Sequence, residues 1–223
     1  MRKFLTATLL CMALTVTMVP AAFAADTADS NYTTCMAAIQ EQKVIQDQAH
    51  QTAESLRQKG YDDSSAYIQA AQSTWWAAQD EIVAYQKLSQ YTDEDIRILT
   101  TAVFYEAGHT TEQLREYVAQ VVLNRVADSR FPDTVKGVIT QPGQYATKYA
   151  TQAATDSIKS ADSQNGTYYY AMCETAVKKA MMGQVDMPSN VLYQANFAQG
   201  KGVWQSVYFN SGWDASTSYF CYG

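Results

Sequence analysis

One glutamate, Glu106, stands where a carboxyl group can act as a proton donor, at the end of a mostly apolar helical segment. The apolar residues Ile96, Leu99 and Val103 precede it at helical intervals, so the four side chains share one face of a helix. Burial and the negative end of the helix dipole both raise a carboxyl pKa. A raised pKa suits a group that must hold a proton and then donate it. The alternative is a surface glutamate on a frayed last turn.

Local capping patterns set the boundaries of this helix and of the next one. Thr92 with Asp95 forms a capping-box pattern that predicts the start of the first helix, and Gly108 predicts its end. Thr110 with Gln113 forms a second capping-box pattern after the turn, so we expect another helix to begin there.

Helical periodicity also covers residues 31–58 and 64–90, with a Gly-Tyr-Asp-Asp break between them. Two helices joined by a short turn form an antiparallel hairpin, and the abundance of Gln, Ala, Glu and Lys predicts a coiled-coil-like arm. We expect Trp75 and Trp76 to pack within the arm rather than to form a platform for sugars. His50 is expected at the surface.

The second half of the chain changes character twice. Residues 146–166 are rich in Ala, Thr, Ser, Gln and Asp, and we expect a long loop that is functional or disordered. Residues 168–182 are expected to form a helix. From Val191 onward, aromatic and polar residues alternate with glycines, which predicts short strands. The predicted fold class is α+β and mainly helical.

The first 24 residues have the pattern of a signal peptide. Arg2 and Lys3 form a basic start, an apolar run follows, and a small-x-small pattern ends at Ala24, after which we expect cleavage. No later segment is long and apolar enough for a membrane span. We therefore expect a secreted or cell-envelope protein.

The composition argues against several classes of ligand. The chain has 16 Lys and Arg against 22 Asp and Glu, a net charge of −6, which disfavours nucleic acid as a partner. It has two histidines, His50 and His109, and no closely spaced cysteine and histidine ligands, so neither a metal site nor a cofactor is expected. Among Cys35, Cys173 and Cys221, the last two are the pair that we favour for a disulfide.

Several sequence blocks occur in an order that resembles the cell wall hydrolase family typified by a spore cortex-lytic enzyme. The resemblance covers residues 92–223 and lies outside the hairpin. Its blocks are E-A-G at 106–108, V-A-Q-V-V-L-N-R-V at 118–126, F-P-D-T-V at 131–135, G-V-I at 137–139, G-Q-Y at 143–145, V-L-Y-Q-A-N-F at 191–197 and Y-F-C at 219–221.

The sequence pattern predicts a signal peptide at 1–24 and a helical hairpin at 25–90, and the resemblance implies a lysozyme-like catalytic domain at 91–223. The resemblance also implies cleavage of peptidoglycan glycan strands by a lytic transglycosylase or muramidase, with Glu106 as the catalytic acid. A transglycosylase needs one carboxyl group, whereas a hydrolase with paired carboxylates needs a second one.

Five further residues are candidates for contacts with the glycan. An amide beside an aromatic ring can hydrogen-bond and stack on a sugar, so Gln144 and Tyr145 come first, followed by Tyr193 and Asn196. Asn124 is equally compatible with a structural role, and Arg125 in the same helix favours one. Family members often carry a Gly-Glu pair where His109-Thr110 stands here, and a His-Asn pair where Ala195-Asn196 stands.

Several alternatives remain open. For a second carboxyl group, Asp128, Asp133, Asp156 and Asp214 are available, and spacing favours none of them. The protein could instead be a non-catalytic glycan-binding or scaffold protein of the envelope, with the hairpin as an arm that binds a protein partner. An amidase, with zinc or with a Cys173–His109 pair, is the third alternative.

Overall fold

The computed structural model describes residues 30–160, 164–210 and 215–223. The expected signal peptide at 1–24 lies outside the described residues. The helices are α1 (Ser30–Gln58), α2 (Ala66–Leu88), α3 (Asp93–Ala107), α4 (Glu112–Ala127), α5 (Val135–Thr140), α6 (Gln152–Ser160) and α7 (Gln164–Met181), with a 3-10 turn at Thr147–Ala150. The strands are β1 (Val191–Ala195), β2 (Val203–Asn210) and β3 (Ala215–Tyr222).

This architecture confirms the mainly helical α+β class. The three strands form one antiparallel sheet in the order β1-β3-β2, so the last strand of the chain lies in the middle. Its residues Phe220 and Cys221 are fully buried. The ring of Tyr117 in helix α4 packs edge-on against Phe220, with centroids 5.2 Å apart.

The first capping pattern is confirmed and the second is wrong by one residue. Thr92 and Asp95 form a reciprocal capping box at the start of α3. At α4 the N-cap is Thr111, whose hydroxyl accepts a hydrogen bond from the Leu114 amide at 3.2 Å. The Thr110 hydroxyl instead donates to the carbonyl of Ala107 at 2.6 Å, which closes the turn after α3.

The expectation of a long loop at 146–166 is also wrong. A 3-10 turn and helix α6 occupy most of this segment. It is rich in small and polar residues, yet Ala154, Thr155 and Ile158 are buried against the rest of the protein. Tertiary packing therefore orders a segment whose sequence has the composition of a loop.

Helices α3, α4, α5 and α7 enclose the main core together with the sheet. The fully buried side chains of this core include Ile98, Leu99, Val103, Leu114, Val118, Val121, Val122, Val138, Ile139, Cys173, Val177, Val191 and Phe220. Cys173 and Cys221 are both free thiols, so the expected disulfide between them is wrong. Cys173 instead packs as a small apolar residue in this core, and Cys221 is buried in β3.

The predicted hairpin is present, and its base is part of the same core. Cys35 of α1 and Leu88 of α2 are buried in the core cluster. The Asn31 amide donates to the carbonyls of Leu88 at 2.9 Å and Tyr91 at 2.7 Å, and the Asn31 backbone N–H donates to Asp93 at 3.1 Å. These bonds join the start of α1 to the junction between α2 and α3.

The outer part of the hairpin is polar, with one exposed indole. Trp76 is 63% exposed, so the expected packing role is wrong for this residue. Trp75 is half-buried and meets Trp76 edge-on, with centroids 4.8 Å apart. His50 is exposed, as expected. Within the part of the chain that the structure describes, no helix has the length and apolar character of a membrane span.

Candidate active site

Glu106 lies in the last turn of α3, where a buried stripe reaches the protein surface. Leu99 and Val103 on the same face are fully buried, whereas Glu106 is exposed. Its carboxyl group is open to solvent on one side, yet the protein on the other side removes enough water to raise its pKa. A hydrogen bond from the Tyr149 hydroxyl opposes this rise and only partly offsets it. The group thus has the electrostatic character of a proton donor.

Tyr149 is brought to Glu106 by polar contacts from the preceding turns of α3. The guanidinium of Arg97 donates to the Thr151 carbonyl and to the Thr155 hydroxyl, each at 3.1 Å. The hydroxyls of Thr101 and Thr155 are 2.8 Å apart in the buried interface. Arg97 and Thr101 are one turn apart on α3, so one helix positions both the carboxyl group and the segment that carries its tyrosine partner.

A second tyrosine extends this surface beside the carboxyl group. The rings of Tyr105 and Tyr149 are stacked, with centroids 4.6 Å apart and planes only 6° from parallel. The Lys148 ammonium lies 5.4 Å from the centroid of the Tyr105 ring. Sequence analysis missed these residues because Tyr149 and Lys148 fall in the segment that was expected to be a loop. The one indication in the sequence was the length of this segment, because a loop of that length is often functional.

Tyr145, a candidate glycan contact, is close enough to Glu106 for the two groups to interact electrostatically. The residue is half-buried, and desolvation raises the pKa of its hydroxyl to about 12. The nearby Glu106 carboxylate contributes to this rise, and the Arg125 guanidinium opposes it. Tyr145 therefore lies within electrostatic range of both an acid and a buried cation, and it stays protonated at neutral pH. Its neighbour Gln144 is exposed.

Arg125 is a buried cation enclosed by aromatic rings. It is only 4% exposed. Its guanidinium carbon lies 5.3 Å from the ring centroid of Phe131, 5.6 Å from that of Tyr145 and 5.9 Å from that of Tyr193. Its Nε donates to the Leu192 carbonyl at 2.7 Å. Arg125 therefore holds β1, and with it Tyr193, next to the Tyr145 turn.

The two asparagine candidates have different surroundings. Asn124 is 5% exposed, and its amide donates to the carbonyls of Pro188 and Val191, each at 3.0 Å. These contacts join α4 to the start of β1, so they agree with a structural role for Asn124. Asn196 is exposed just after β1, at the end of the strand that carries Tyr193.

No second carboxyl group in the described residues contributes to the pKa of Glu106. Asp128 forms an ion pair with Arg130 at 2.8 Å, and this lowers the Asp128 pKa to about 2. Asp156 accepts a hydrogen bond from Gln152 at 2.8 Å. Asp133 is exposed, and Asp214 lies outside the described residues.

The thiol alternative lacks the surroundings that it requires. Cys173 is fully buried, and desolvation raises its pKa to about 12. A nucleophilic cysteine needs a lowered pKa and access to the substrate. The His109 ring packs against Tyr169 instead, with centroids 4.3 Å apart. Across residues 30–160, 164–210 and 215–223, no group of three or more His, Cys, Asp or Glu side chains is arranged to hold a metal ion.

Part of the second half of the chain is similar to a known family. Residues 111–211 match the family described as Cell Wall Hydrolase. The resemblance predicted from the sequence blocks is thereby confirmed. The matched segment begins five residues after Glu106, so this match does not itself include the carboxyl group.

The matching curated relatives are spore cortex-lytic enzymes. The enzyme of Halalkalibacterium halodurans is 34% identical over 44% of this chain and 34% of its own length. That of Bacillus cereus is 35% identical over 40% of this chain and 39% of its own. The enzyme of Bacillus subtilis is 28% identical over 48% of this chain and 39% of its own length. The chain thus spans little more than a third of the length of these relatives, and no solved structure matches it.

Proposed function

We propose that the protein is a secreted or envelope enzyme that cleaves the glycan strands of peptidoglycan, with Glu106 as its general acid. The observation that carries the proposal is the carboxyl group at the end of α3, whose pKa is raised beside Tyr149 and Tyr145. Its location directly before a cell wall hydrolase segment supports peptidoglycan as the substrate. Clearance of purified peptidoglycan by the isolated protein is the direct test, and no clearance would refute the proposal.

The surroundings of Glu106 favour a lytic transglycosylase mechanism. The protonated carboxyl group gives its proton to the glycosidic oxygen as the bond to C1 of muramic acid breaks. The resulting carboxylate then accepts the proton of the C6 hydroxyl, whose oxygen bonds to C1 and closes a 1,6-anhydro ring. One carboxyl group serves both steps. A muramidase with paired carboxylates would need a second one at roughly 5 to 9.5 Å. Of the candidates, Asp128 is held by Arg130 and Asp156 by Gln152.

The residues around Glu106 are proposed to line a groove for the glycan. Tyr145 and Tyr193 present aromatic rings, while Gln144 and Asn196 present exposed amides. Aromatic faces contact the C–H surface of a sugar ring, and amides hydrogen-bond its hydroxyl and acetamido groups. Asn124 takes part as a positioning residue that holds β1 rather than as a direct contact.

Replacing Tyr149 with phenylalanine is expected to shift the pH profile of cleavage to higher pH. The hydrogen bond from Tyr149 stabilises the ionised form of Glu106, so its removal raises the Glu106 pKa further. Because the protonated form is the active acid, activity is lost as the pH rises through this pKa. The alkaline limb of the pH profile of Tyr149→Phe therefore moves to higher pH. Tyr105→Phe is the matched control, since it also removes a hydroxyl from the stacked pair. A shift in the opposite direction would contradict the proposed role of Tyr149.

Chelation is expected to leave cleavage unchanged. The proposed reaction needs one proton donor that becomes a proton acceptor, and both roles belong to Glu106. The measurement is the rate of peptidoglycan clearance before and after dialysis against EDTA. Loss of activity with recovery on addition of zinc would overturn the glycosidase proposal and support an amidase.

A further inference from the structure

We propose that the helical hairpin carries a second glycan-binding site, separate from Glu106, in a groove on its outer part. The groove has a volume of about 200 Å³. Alanines 49, 53 and 71 form its floor, and Trp75, Trp76, His50, Gln72 and Arg57 form its rim. The choice of ligand rests on the proposed function, because a chain that cleaves glycan strands meets them at high local concentration.

The two indoles give the groove its main contact surface. Trp76 is the more exposed of the two, and the rings meet at 86°, so together they form a corner rather than a flat patch. Two aromatic rings in contact beside a concave surface are a common feature of ligand-binding sites. A pyranose ring has a C–H face that packs on an indole face, while its edge carries hydrogen-bonding groups.

The rim supplies polar groups but little uncompensated charge. His50 and Gln72 are exposed and can exchange hydrogen bonds with hydroxyl or acetamido groups. The Arg57 guanidinium is paired with two carboxylates, Glu54 at 2.6 Å and Asp63 at 2.9 Å, so its positive charge is more than offset. A groove whose arginine is already paired in this way fits a neutral sugar better than an anionic polymer.

A protein helix is a poorer match for the same surface. A docking helix needs a continuous apolar stripe over several turns. Here the apolar surface is limited to the small alanine floor and the indole pair, and Gln46 and Gln79 bridge the two helices beside it at 3.0 Å. The aromatic contact is therefore local, on the scale of one or two sugar rings.

The groove and the carboxyl group lie on different helices, the groove on α1 and α2 and the carboxyl group on α3. Trp76 lies twelve residues before Leu88, which places it roughly 18 Å along α2 from the base of the hairpin. Glu106 is at the opposite end of α3 from that base. A site in this position can hold the enzyme on a glycan strand without occupying the groove in which cleavage takes place.

The test uses full-length Glu106→Gln protein, so that binding is measured without cleavage, and N-acetylglucosamine tetramer as a neutral probe. The NMR signals of the Trp75 and Trp76 indole N–H groups are expected to shift on titration. Trp76→Ala should weaken this site about tenfold, which corresponds to about 1.4 kcal/mol. The matched control is Tyr67→Ala, another exposed aromatic that lies nine residues earlier on the opposite side of α2.

Indole signals that stay unmoved at saturating tetramer would overturn the inference. So would loss of self-association in Trp76→Ala without any response to the sugar, because the groove would then be a contact between copies of the chain. Failure of the hairpin site can be distinguished from failure of the proposed enzymatic function. Sugar-dependent shifts in a wild-type protein that does not cleave peptidoglycan would support the hairpin site and refute the enzyme.

Discussion

Replacing Glu106 with glutamine is expected to slow peptidoglycan clearance by a factor on the order of 10² to 10⁴. Glutamine has the same shape but no proton to donate to the glycosidic oxygen. Because the side chain is exposed at a helix end, the fold should tolerate the change, and the melting temperature should stay near that of the wild type. The measurement is the decrease in turbidity of purified peptidoglycan with matched amounts of each protein.

Asp128→Asn is the control for this prediction. It neutralises another carboxyl group of the same domain, one already paired with Arg130. We expect its clearance rate to stay close to that of the wild type. If the folded Glu106→Gln variant clears peptidoglycan at nearly the wild-type rate, Glu106 is not the acid. If Asp128→Asn loses as much activity as Glu106→Gln, a mechanism with paired carboxylates replaces the single-acid one.

Leu88→Ala is expected to lower the free energy of unfolding by about 2 to 5 kcal/mol. Leu88 is buried where the base of the hairpin joins the main core. Its loss removes apolar contacts and leaves a cavity between the two parts. The melting temperature should fall by roughly 2 to 4 °C for each kcal/mol in a chain of this size. Thermal unfolding followed by circular dichroism measures the effect.

Leu56→Ala provides the comparison for the same substitution elsewhere in the hairpin. Leu56 is half-buried near the far end of α1, away from the core of the domain. Its replacement should cost clearly less than that of Leu88. Equal effects at both positions would contradict the inclusion of Leu88 in the main core. Because the base of the hairpin is buried in that core, we expect a fragment that starts near residue 90 to be less stable than the whole chain.

The parts of the fold that local sequence determines were predicted well. The start of α3 follows from Thr92 and Asp95, which contact each other within one turn, and its buried face follows from the spacing of Leu99 and Val103. The error at α4 shows the limit of such patterns. Thr110 and Thr111 are both suitable caps, and the turn after α3 uses the first hydroxyl for the Ala107 carbonyl.

The missed part of the candidate site depends on contacts between distant residues. Tyr149 reaches Glu106 because Arg97 binds the Thr151 carbonyl, 54 residues along the chain. No periodicity within 146–166 contains that information. The position of Tyr193 similarly depends on Arg125 and the Leu192 carbonyl, 67 residues apart. Glu106 could be named as a candidate from the sequence, but the pairing of Tyr105 and Tyr149 beside it could only be seen in the fold.

Mass spectrometry of the products released from purified peptidoglycan tests the central claim most directly. The account predicts soluble fragments with new muramic acid ends, as 1,6-anhydro rings for a transglycosylase, and the absence of these fragments with Glu106→Gln. Fragments with reducing ends would show that the glycan strand is cleaved, but by hydrolysis instead of transglycosylation. Release of free stem peptides from intact glycan strands would contradict the account, because an amide bond would then be the one that is cut.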